Sequence, residues 1–374
     1  MGSARDWLID GAPGASTSQD VFAGTCERLL AAGVPLRRGE AYVRTLHPQL
    51  AGRAFAWERG VGNTVIEASY DAEMGIASAP VRHVLEHATQ ARYRPGVDPP
   101  MPGCDFALRG FTDVFAIPMR FISGENHACA FLSDAPGGFA DEHIALIEGV
   151  MPPLSRIGEI FALRRTATNV LTAYVGRDAG ARVLAGQIRR GDVELIEAAI
   201  WFSDMRGFST ISNQKNPREV LALLNELFDC QLPAIEKHGG EVLKFIGDGL
   251  LAIFTPRGGD LRECCERALT ASREAVAAMH ERNARPAVEP VKFGIALHVG
   301  EVAYGNIGGE GRLDFTCIGR AVNLAARIES LTGKTGNDIL ASDAFATRCR
   351  DNLVSIGSFE VKGFAEPVPA YRPV

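Results

Sequence analysis

The stretch EVLKFIGDGLLAIF, residues 241–254, is typical of a β-hairpin. Apolar and polar residues alternate along its first arm, a second apolar arm follows, and Gly247-Asp248-Gly249 lies between the two arms as a tight turn. Asp-Gly pairs are common in turns for conformational reasons alone, and Lys244 on the first arm has an ordinary interpretation as a solvated side chain. The hairpin by itself therefore leaves open whether Lys244 and Asp248 have a chemical role.

The residues around the hairpin predict a regular alternation of strands and helices. Residues 194–204, ELIEAAIWFSD, have the composition of a strand. The long helix that follows begins with Asn216, Pro217 and Glu219, a near capping box with proline at its favoured first position. After the hairpin come a helix over about 260–283, two strands and the helix RAVNLAARIESL. The order β-α-β-β-α-β predicts a ferredoxin-like α+β fold for this part of the chain.

The N-terminal part of the chain mixes helix and strand less regularly. Residues 79–93 are predicted to be helical, and residues 114–134 read as a second hairpin. A helix is expected from about Asp141, with the Pro152-Pro153 pair breaking or kinking it. Apolar positions at helical spacing continue through residues 155–190, which fits either a coiled-coil signal helix or the packing face of a terminal helix.

Composition excludes several classes of function. The chain has 374 residues, which favours two domains, and its net charge is −6 with no basic stretch, so no nucleic-acid footprint is evident. No apolar run approaches the roughly 20 residues that span a bilayer. The N-terminus lacks the order of a secretory signal, and the eight scattered cysteines contain no C-x-x-C pair. We therefore expect reduced thiols and a cytoplasmic protein.

Two aspartates end apolar strands in the second half of the chain. Asp204 closes the strand in IWFSDMRGF, and Asp248 closes the first arm of the hairpin. If these two strands are neighbours, both carboxylates meet at one end of the sheet, where they suit Mg²⁺ or Mn²⁺. Gly207 and Phe208 follow Asp204 in a turn toward a helix, and backbone N–H groups in such a turn can hold phosphate oxygens.

Two further segments carry candidate ligands for a nucleotide. Asn323 and Arg327 are four residues apart in RAVNLAARIESL and so share one helix face. Lys362 in FEVKGF is a candidate phosphate ligand. Each of these residues alone is more simply interpreted as a surface residue, so their meaning depends on the motifs around them.

Taken in order, the motifs resemble the catalytic domain of class III adenylate and guanylate cyclases. FSDMRGFS resembles the first metal motif of that family and KFIGDG the second. DFTCIGRAVNLAAR is similar to the segment with the second base reader, the ribose-side Asn and the transition-state Arg, and VKG to the late phosphate-binding segment. The resemblance covers about 191–374, half of the chain. Residues 114–150 resemble, faintly, the end of a GAF-type sensor domain.

The cyclase resemblance implies a role for each matching residue. Asp204 and Asp248 would hold two Mg²⁺ or Mn²⁺ ions, Lys244 and Thr316 would read the purine, Asn323 would orient the ribose, Arg327 would stabilise the transition state at the α-phosphate, and Lys362 would bind the terminal phosphates. In this family the metal carboxylates come from one subunit and the other groups from its partner. The resemblance therefore implies a head-to-tail homodimer with two shared sites.

The identities of the two base readers favour adenine. Lys244 offers only donors and Thr316 can accept, which matches the N1 acceptor and the N6 donor of adenine, whereas guanine would set its N1–H against the lysine ammonium. We predict an adenylate cyclase that converts ATP to 3′,5′-cyclic AMP and pyrophosphate; a guanylate cyclase and a non-catalytic nucleotide-binding regulator are the alternatives. With a threonine as the second base reader, at position 316, the sequence resembles the Thr-type subgroup of these cyclases, in which bicarbonate stimulation has been reported. Bicarbonate is therefore a hypothetical regulator.

The predicted organisation has three parts. Residues 1–160 form a GAF-like regulatory or sensor domain of α/β type, which bicarbonate or another small molecule would address. Residues 161–190 form a helical connector. Residues 191–374 form the ferredoxin-like cyclase catalytic domain.

Overall fold

The computed structural model describes residues 3–44, 50–69, 77–101, 105–349 and 353–374. The chain divides into two compact units, Met1–Val170 and Leu171–Val374. Among the described residues, none of the helices combines the length and the hydropathy that spanning a bilayer requires.

The first unit is built on a six-stranded antiparallel sheet with the order β3-β2-β1-β6-β5-β4. Its strands are β1 Leu36–Arg44, β2 Leu50–Glu58, β3 Gly62–Ser69, β4 Ala91–Tyr93, β5 Asp113–Arg120 and β6 Asn126–Ser133. The helices within its described residues are α1 Ala4–Ile9, α2 Ser18–Ala31, α3 Ala79–His87 and α4 Asp141–Val175, the last of which continues past the boundary between the units. The hairpin predicted over 114–134 is confirmed as β5 and β6.

Side chains that alternate in direction along β6 contribute to the apolar packing on both faces of this sheet. Cys129 and Phe131 pack with α1, α2 and α4, whereas Ala128, Ala130 and Leu132 pack with α3 and the residues around it. Because successive side chains of a strand point to opposite faces, a strand that is buried throughout must be covered on both sides. The first unit therefore has two apolar clusters, one on each face of its sheet.

The structure differs from two helix predictions in this unit. The helix expected over 79–93 ends at His87, because Ala88 takes a left-handed conformation with φ of 54° and the following residues pair with β5 as β4. The Pro152-Pro153 pair does not break the helix that begins at Asp141, since α4 runs through both prolines to Val175. Packing of neighbouring α4 side chains into the core offsets the hydrogen bonds that the prolines remove.

The second unit has an eight-stranded sheet. Seven of its strands lie in the order β13-β14-β12-β10-β7-β9-β8, and the eighth, β11, pairs with β10 outside this order. The strands are β7 Val193–Met205, β8 Glu241–Ile246, β9 Gly249–Phe254, β10 Phe293–Gly309, β11 Arg312–Ile318, β12 Ile339–Ser342, β13 Leu353–Phe359 and β14 Val368–Pro373. The helices are α5 Arg177–Leu184, α6 Phe208–Gln214, α7 Pro217–Lys237, α8 Leu261–Asn283, α9 Arg320–Thr335 and α10 Asp343–Ala346.

The predicted β-α-β-β-α-β order is confirmed by β7, α7, β8, β9, α8 and β10, whose four strands lie in the order β10-β7-β9-β8. The capping box at the start of α7 is also confirmed: the Asn216 side chain accepts from the backbone N–H of Glu219, and the Glu219 carboxylate accepts from the backbone N–H of Asn216. These features follow from local sequence, which is why periodicity and capping residues predict them.

The two faces of the second sheet are covered by different helices. Ala199 and Trp201 of β7 pack with α7 and α8, and Ala198 and Ile200 pack with α5 and α9. Glu241 at the start of β8 accepts hydrogen bonds from the first N–H groups of α5, which holds that helix against the sheet. The strand alternation therefore decides that Asp204 lies on the α9 side of the sheet.

Gly294 of β10 sets how closely α9 approaches the sheet. A Cβ at this position would lie 2.7 Å from Cβ of Thr332 and 2.8 Å from Oε1 of Glu329, both on α9. Only a residue without a side chain permits this contact, so the position of α9 depends on Gly294.

We expect Gly294→Ala to destabilise the protein by about 2 kcal/mol, because α9 must move to relieve overpacking. Gly309→Ala on the same strand is the matched control, since an added Cβ there meets nothing within 4 Å. Urea denaturation followed by circular dichroism measures both variants. Equal free energies of unfolding for the two variants would contradict the proposed contact.

Candidate active site

The two predicted metal aspartates lie together at one end of the central sheet. Asp204 is near the end of β7, and Asp248 is in the turn between β8 and β9. The expected adjacency of β7 and the first hairpin arm is wrong: β7 pairs with the second arm, β9, in a register that places Ser203 opposite Leu250. The tight turn still brings Asp248 into hydrogen-bonding contact with Asp204.

The carboxyl pair has the electrostatics of a cation site. Burial raises the pKa of Asp204 to about 7, and the charge of Asp248 and the hydrogen bond between the two carboxyls contribute to the increase. Two carboxylates in one site disfavour each other's ionisation, and a divalent cation between them removes this cost. Their oxygen atoms are the ligands that Mg²⁺ and Mn²⁺ prefer, so the residues present fit such an ion.

Gly249 makes the close approach of the hairpin to β7 possible. A Cβ at Gly249 would lie 2.8 Å from the carbonyl oxygen of Ser203 and 3.1 Å from Oδ1 of Asp204. The described residues contain no group of three or more His, Cys, Asp or Glu side chains suited to hold a metal ion.

Glu329 is a third carboxyl group near the pair, and the sequence analysis missed it. Glu329 lies on the inner side of α9 and is 8% exposed. Its Oε1 accepts a hydrogen bond of 3.3 Å from the Thr332 hydroxyl. Burial raises the pKa of Glu329 to about 7, and the negative charge of Asp204 adds to the increase. The available signal was its spacing from Ala325 and Thr332, which are buried on the same helix.

The turn after Asp204 is as predicted and is anchored by an arginine. Gly207 is left-handed with φ of 74° and precedes α6, which Phe208 begins while packing against the core. The Arg206 guanidinium donates to the carbonyl oxygen of Asn337 at 2.6 Å and pairs with Asp338 at 3.3 Å. The turn is therefore tied to the segment that follows α9, while a phosphate-binding role for Gly207 and Phe208 stays a prediction.

Lys244, the first predicted base reader, has an acidic partner that the sequence analysis did not identify. Its Nζ lies 2.9 Å from Oδ2 of Asp314 on β11, and the two side chains are 33% and 58% exposed. A lysine ammonium has three donors, so this ion pair orients Lys244 and leaves donors available. The signal in the sequence was the position of Asp314, two residues before Thr316 and hence on the same face of the strand.

Thr316, the second predicted base reader, has a buried hydroxyl group. The residue is 2% exposed, and Oγ1 has no hydrogen-bond partner within the described part of the chain. Leaving a buried hydroxyl unpaired costs about 1–3 kcal/mol, so such a group calls for a physical explanation.

The remaining predicted site residues lie on the surface. Asn323 and Arg327 are exposed on α9, and Lys362 is exposed in the turn after β13. For the ranges that the structure describes, no hydrogen bond or ion pair joins these side chains to Asp204 or Asp248. One chain thus assembles the carboxyl pair and orients Lys244, but leaves the other polar groups directed to solvent.

The comparison with protein families matches the second unit. Residues 194–370 match the family described as the adenylate and guanylate cyclase catalytic domain. The matched range contains all of the predicted site residues and stops four residues before the end of the sequence.

Curated relatives match the same half of the chain. Adenylate cyclase 1 of Rhizobium meliloti is 30% identical over 183 residues, which are 48% of this chain and 27% of the relative. Adenylate cyclase of Anabaena cylindrica is 31% identical over 187 residues, which are 46% of this chain and 36% of the relative. The chain thus spans only about a third of the length of these relatives.

A solved structure of a bacterial light-regulated adenylyl cyclase has a similar fold. It aligns with a TM-score of 0.50 and 22% identity, over 70% of this chain and 85% of that one. At this identity the likeness concerns the fold alone.

We expect the affinity for Mn²⁺ to increase as the pH rises through about 7 and to level off above it. Below that pH a proton on Asp204 must leave before a cation binds, so the dissociation constant should fall by about tenfold per pH unit for one displaced proton. Isothermal titration calorimetry at a series of pH values measures this dependence.

Two variants check the origin of that pH dependence. Asp248→Asn removes the neighbouring charge, so it should weaken Mn²⁺ binding and shift the remaining pH dependence to lower values. Asp314→Asn, outside the carboxyl pair, should leave the pH dependence unchanged. An affinity that does not vary with pH would contradict the assignment.

Proposed function

We propose that this chain, whose residues 194–370 form an adenylate and guanylate cyclase catalytic domain, is an adenylate cyclase that converts ATP to 3′,5′-cyclic AMP and pyrophosphate. The observation that carries the proposal is the carboxyl pair of Asp204 and Asp248 at the end of β7, which fits a divalent cation. The names of the curated relatives support the choice of adenylate cyclase over guanylate cyclase.

In the proposed reaction the carboxyl pair binds Mg²⁺ or Mn²⁺, with two ions in each site. Divalent cations held by Asp204 and Asp248 would lower the pKa of the ribose 3′-hydroxyl of ATP and would neutralise charge on the departing pyrophosphate. Asp204 and Asp248 provide the anionic oxygens for this binding, and Gly249 leaves the space that their approach requires. The turn at Gly207 and Phe208 offers backbone N–H groups to the phosphates.

The purine contacts follow from the chemistry of β8 and β11. Lys244, oriented by Asp314, donates to the N1 acceptor of adenine, and the unpartnered hydroxyl oxygen of Thr316 accepts from the N6 amino group. Guanine would instead present N1–H to the Lys244 ammonium, so that two hydrogen-bond donors would face each other. A site built on these two groups therefore prefers ATP.

The exposed polar groups imply a shared site. Asn323 orients the ribose, Arg327 stabilises the negative charge that develops at the α-phosphate, and Lys362 binds the terminal phosphates. Because these side chains contact neither aspartate among the described residues, we propose that they act on the carboxyl pair of a second copy in a head-to-tail homodimer.

The first unit is proposed to regulate the second. Within the proposal, residues 1–160 are a GAF-like sensor domain, residues 161–190 are a helical connector and residues 191–374 are the catalytic domain, with bicarbonate as a candidate effector. The seven described cysteines are unpaired thiols, which supports a cytoplasmic location.

We expect purified protein with Mn²⁺ to form cyclic AMP from ATP faster than cyclic GMP from GTP, and Asp204→Ala to lose at least a hundredfold in turnover. Arg327→Ala should be similarly inactive, because it removes a charge that acts in the transition state. Chromatography of the cyclic products measures all four reactions: the wild type with ATP, the wild type with GTP, and each of the two variants with ATP.

Mixing the two inactive variants tests the shared site. Random pairing makes about half of the dimers mixed, and each mixed dimer has one intact site of two, so about one quarter of the wild-type turnover should return. Asp204→Ala mixed with Asp248→Ala is the control and should remain inactive, since both changes remove the same half-site. If the mixture of Asp204→Ala with Arg327→Ala recovered no turnover, the result would contradict a shared site.

We expect Asp314→Asn to raise the KM for ATP about fivefold with a smaller change in kcat, because it frees Lys244 from its oriented position. Glu274→Gln is the matched control, since it breaks the comparably exposed ion pair with Lys237, away from the proposed site. Steady-state kinetics with ATP measures both. Unaltered KM in Asp314→Asn would show that the ion pair has no part in base recognition.

A further inference from the structure

The first unit contains a cavity of about 510 Å³ that no step of the proposed reaction uses. It lies between the sheet face formed by β1, β2, β3 and β5, the start of α2 and the later turns of α4. Its volume falls within the range of roughly 300–1,000 Å³ that is usual for small-molecule sites. The cavity therefore has room for an organic ligand and not only for solvent.

The floor of the cavity is apolar. Phe22, Phe55, Met119 and Leu154 line it and are buried, and Phe161 of α4 lines it while half-buried. Such a surface favours a ligand with a hydrocarbon or aromatic body, because covering it removes apolar area from water. A wholly polar ligand such as a free phosphate would leave this floor uncovered.

The charged groups at the cavity are all cationic. Among the described residues that line it are four arginines and no carboxylate. Arg53 already pairs with Glu67, which neutralises its charge. Arg164 and Arg165 are exposed neighbours on α4, and within the described ranges neither guanidinium has a carboxylate partner. Two uncompensated positive charges thus lie at the edge of an apolar cavity.

We propose that this cavity is a binding site for a small amphipathic carboxylate, with its apolar body on the floor between the sheet and α4 and its anionic head at Arg164 and Arg165. A guanidinium binds a carboxylate through paired N–H donors, and the adjacent apolar surface holds the body. Neutral and cationic molecules with the same body lack the head-group contact, so they bind more weakly.

The position of the cavity gives the ligand a regulatory consequence. Leu154, Phe161 and Arg164 all belong to α4, a single helix that runs from Asp141 to Val175 and so continues past the boundary of the first unit. A carboxylate in the cavity contacts three consecutive turns of this helix. Binding there stabilises one position of α4 on the sheet of the first unit.

The experiment measures the binding of three probes with one hydrocarbon chain to the full-length protein. Isothermal titration calorimetry with decanoate, decanol and decylammonium below their aggregation concentrations should give the tightest binding for decanoate, at least tenfold tighter than for decylammonium. Arg164→Glu/Arg165→Glu should weaken decanoate binding at least tenfold, and Ala162→Trp, which fills the cavity from α4, should abolish the binding of all three.

Matched variants keep the test decisive. Arg189→Glu/Arg190→Glu reverses an equally exposed pair of neighbouring arginines in the second unit and should not change decanoate binding. Circular dichroism confirms folding, and if Ala162→Trp does not fold, the arginine pair alone decides. Equal affinity for the three probes, no decanoate binding, or equal loss in both arginine variants would overturn the proposal. Because binding is measured without turnover, its result is independent of the proposed cyclase activity.

Discussion

The enforced proximity of two carboxyl groups is the constraint on which the arrangement of the second unit depends. Asp204 and Asp248 repel each other when ionised, and burial makes the repulsion more costly, as the raised pKa of Asp204 reflects. The pairing of β7 with β9 and the small size of Gly249 hold the two groups together against this repulsion. A divalent cation bound at this point would offset the repulsion, and strongly shifted pKa values of this kind are typical of functional sites.

The two faces of the second sheet differ: one packs against the main apolar cluster of the unit, and the other lies beside the carboxyl pair. On the face covered by α7 and α8, Trp201 and its neighbours form the largest apolar cluster of the unit, and the Ser203 hydroxyl donates to Gln231 of α7 at 2.6 Å. On the other face, α9 turns Ile328 and Glu329 inward and leaves Asn323 and Arg327 exposed. One helix therefore packs against the sheet beside the carboxyl pair and also presents polar groups outward.

The first unit uses its sheet differently. Both faces of that sheet are covered, and the cavity lies between the start of α2, the later turns of α4 and the strands β1 and β2. The gap is bounded by small groups on α4, among them Gly158 and Ala162, that do not fill it. The apolar side chains that line this gap stay in contact with water unless a ligand covers them, which is the physical reason to propose the cavity as a ligand site.

The sequence alone determined the β-α-β-β-α-β order of the second unit and the candidate site residues, because strand alternation, the capping box at Asn216 and the Gly-Asp-Gly turn are local. It also sufficed to select Asp204 and Asp248 as a pair. Only the tertiary structure decided that β9 rather than β8 lies beside β7, that Asp314 orients Lys244 and that Glu329 is buried near the aspartates. These outcomes depend on contacts between residues far apart in the chain, and burial at one position is set by every segment that packs around it. Local spacing places Asp314 on the face of Thr316 and Glu329 on the buried side of α9, but it does not decide which residues these side chains contact.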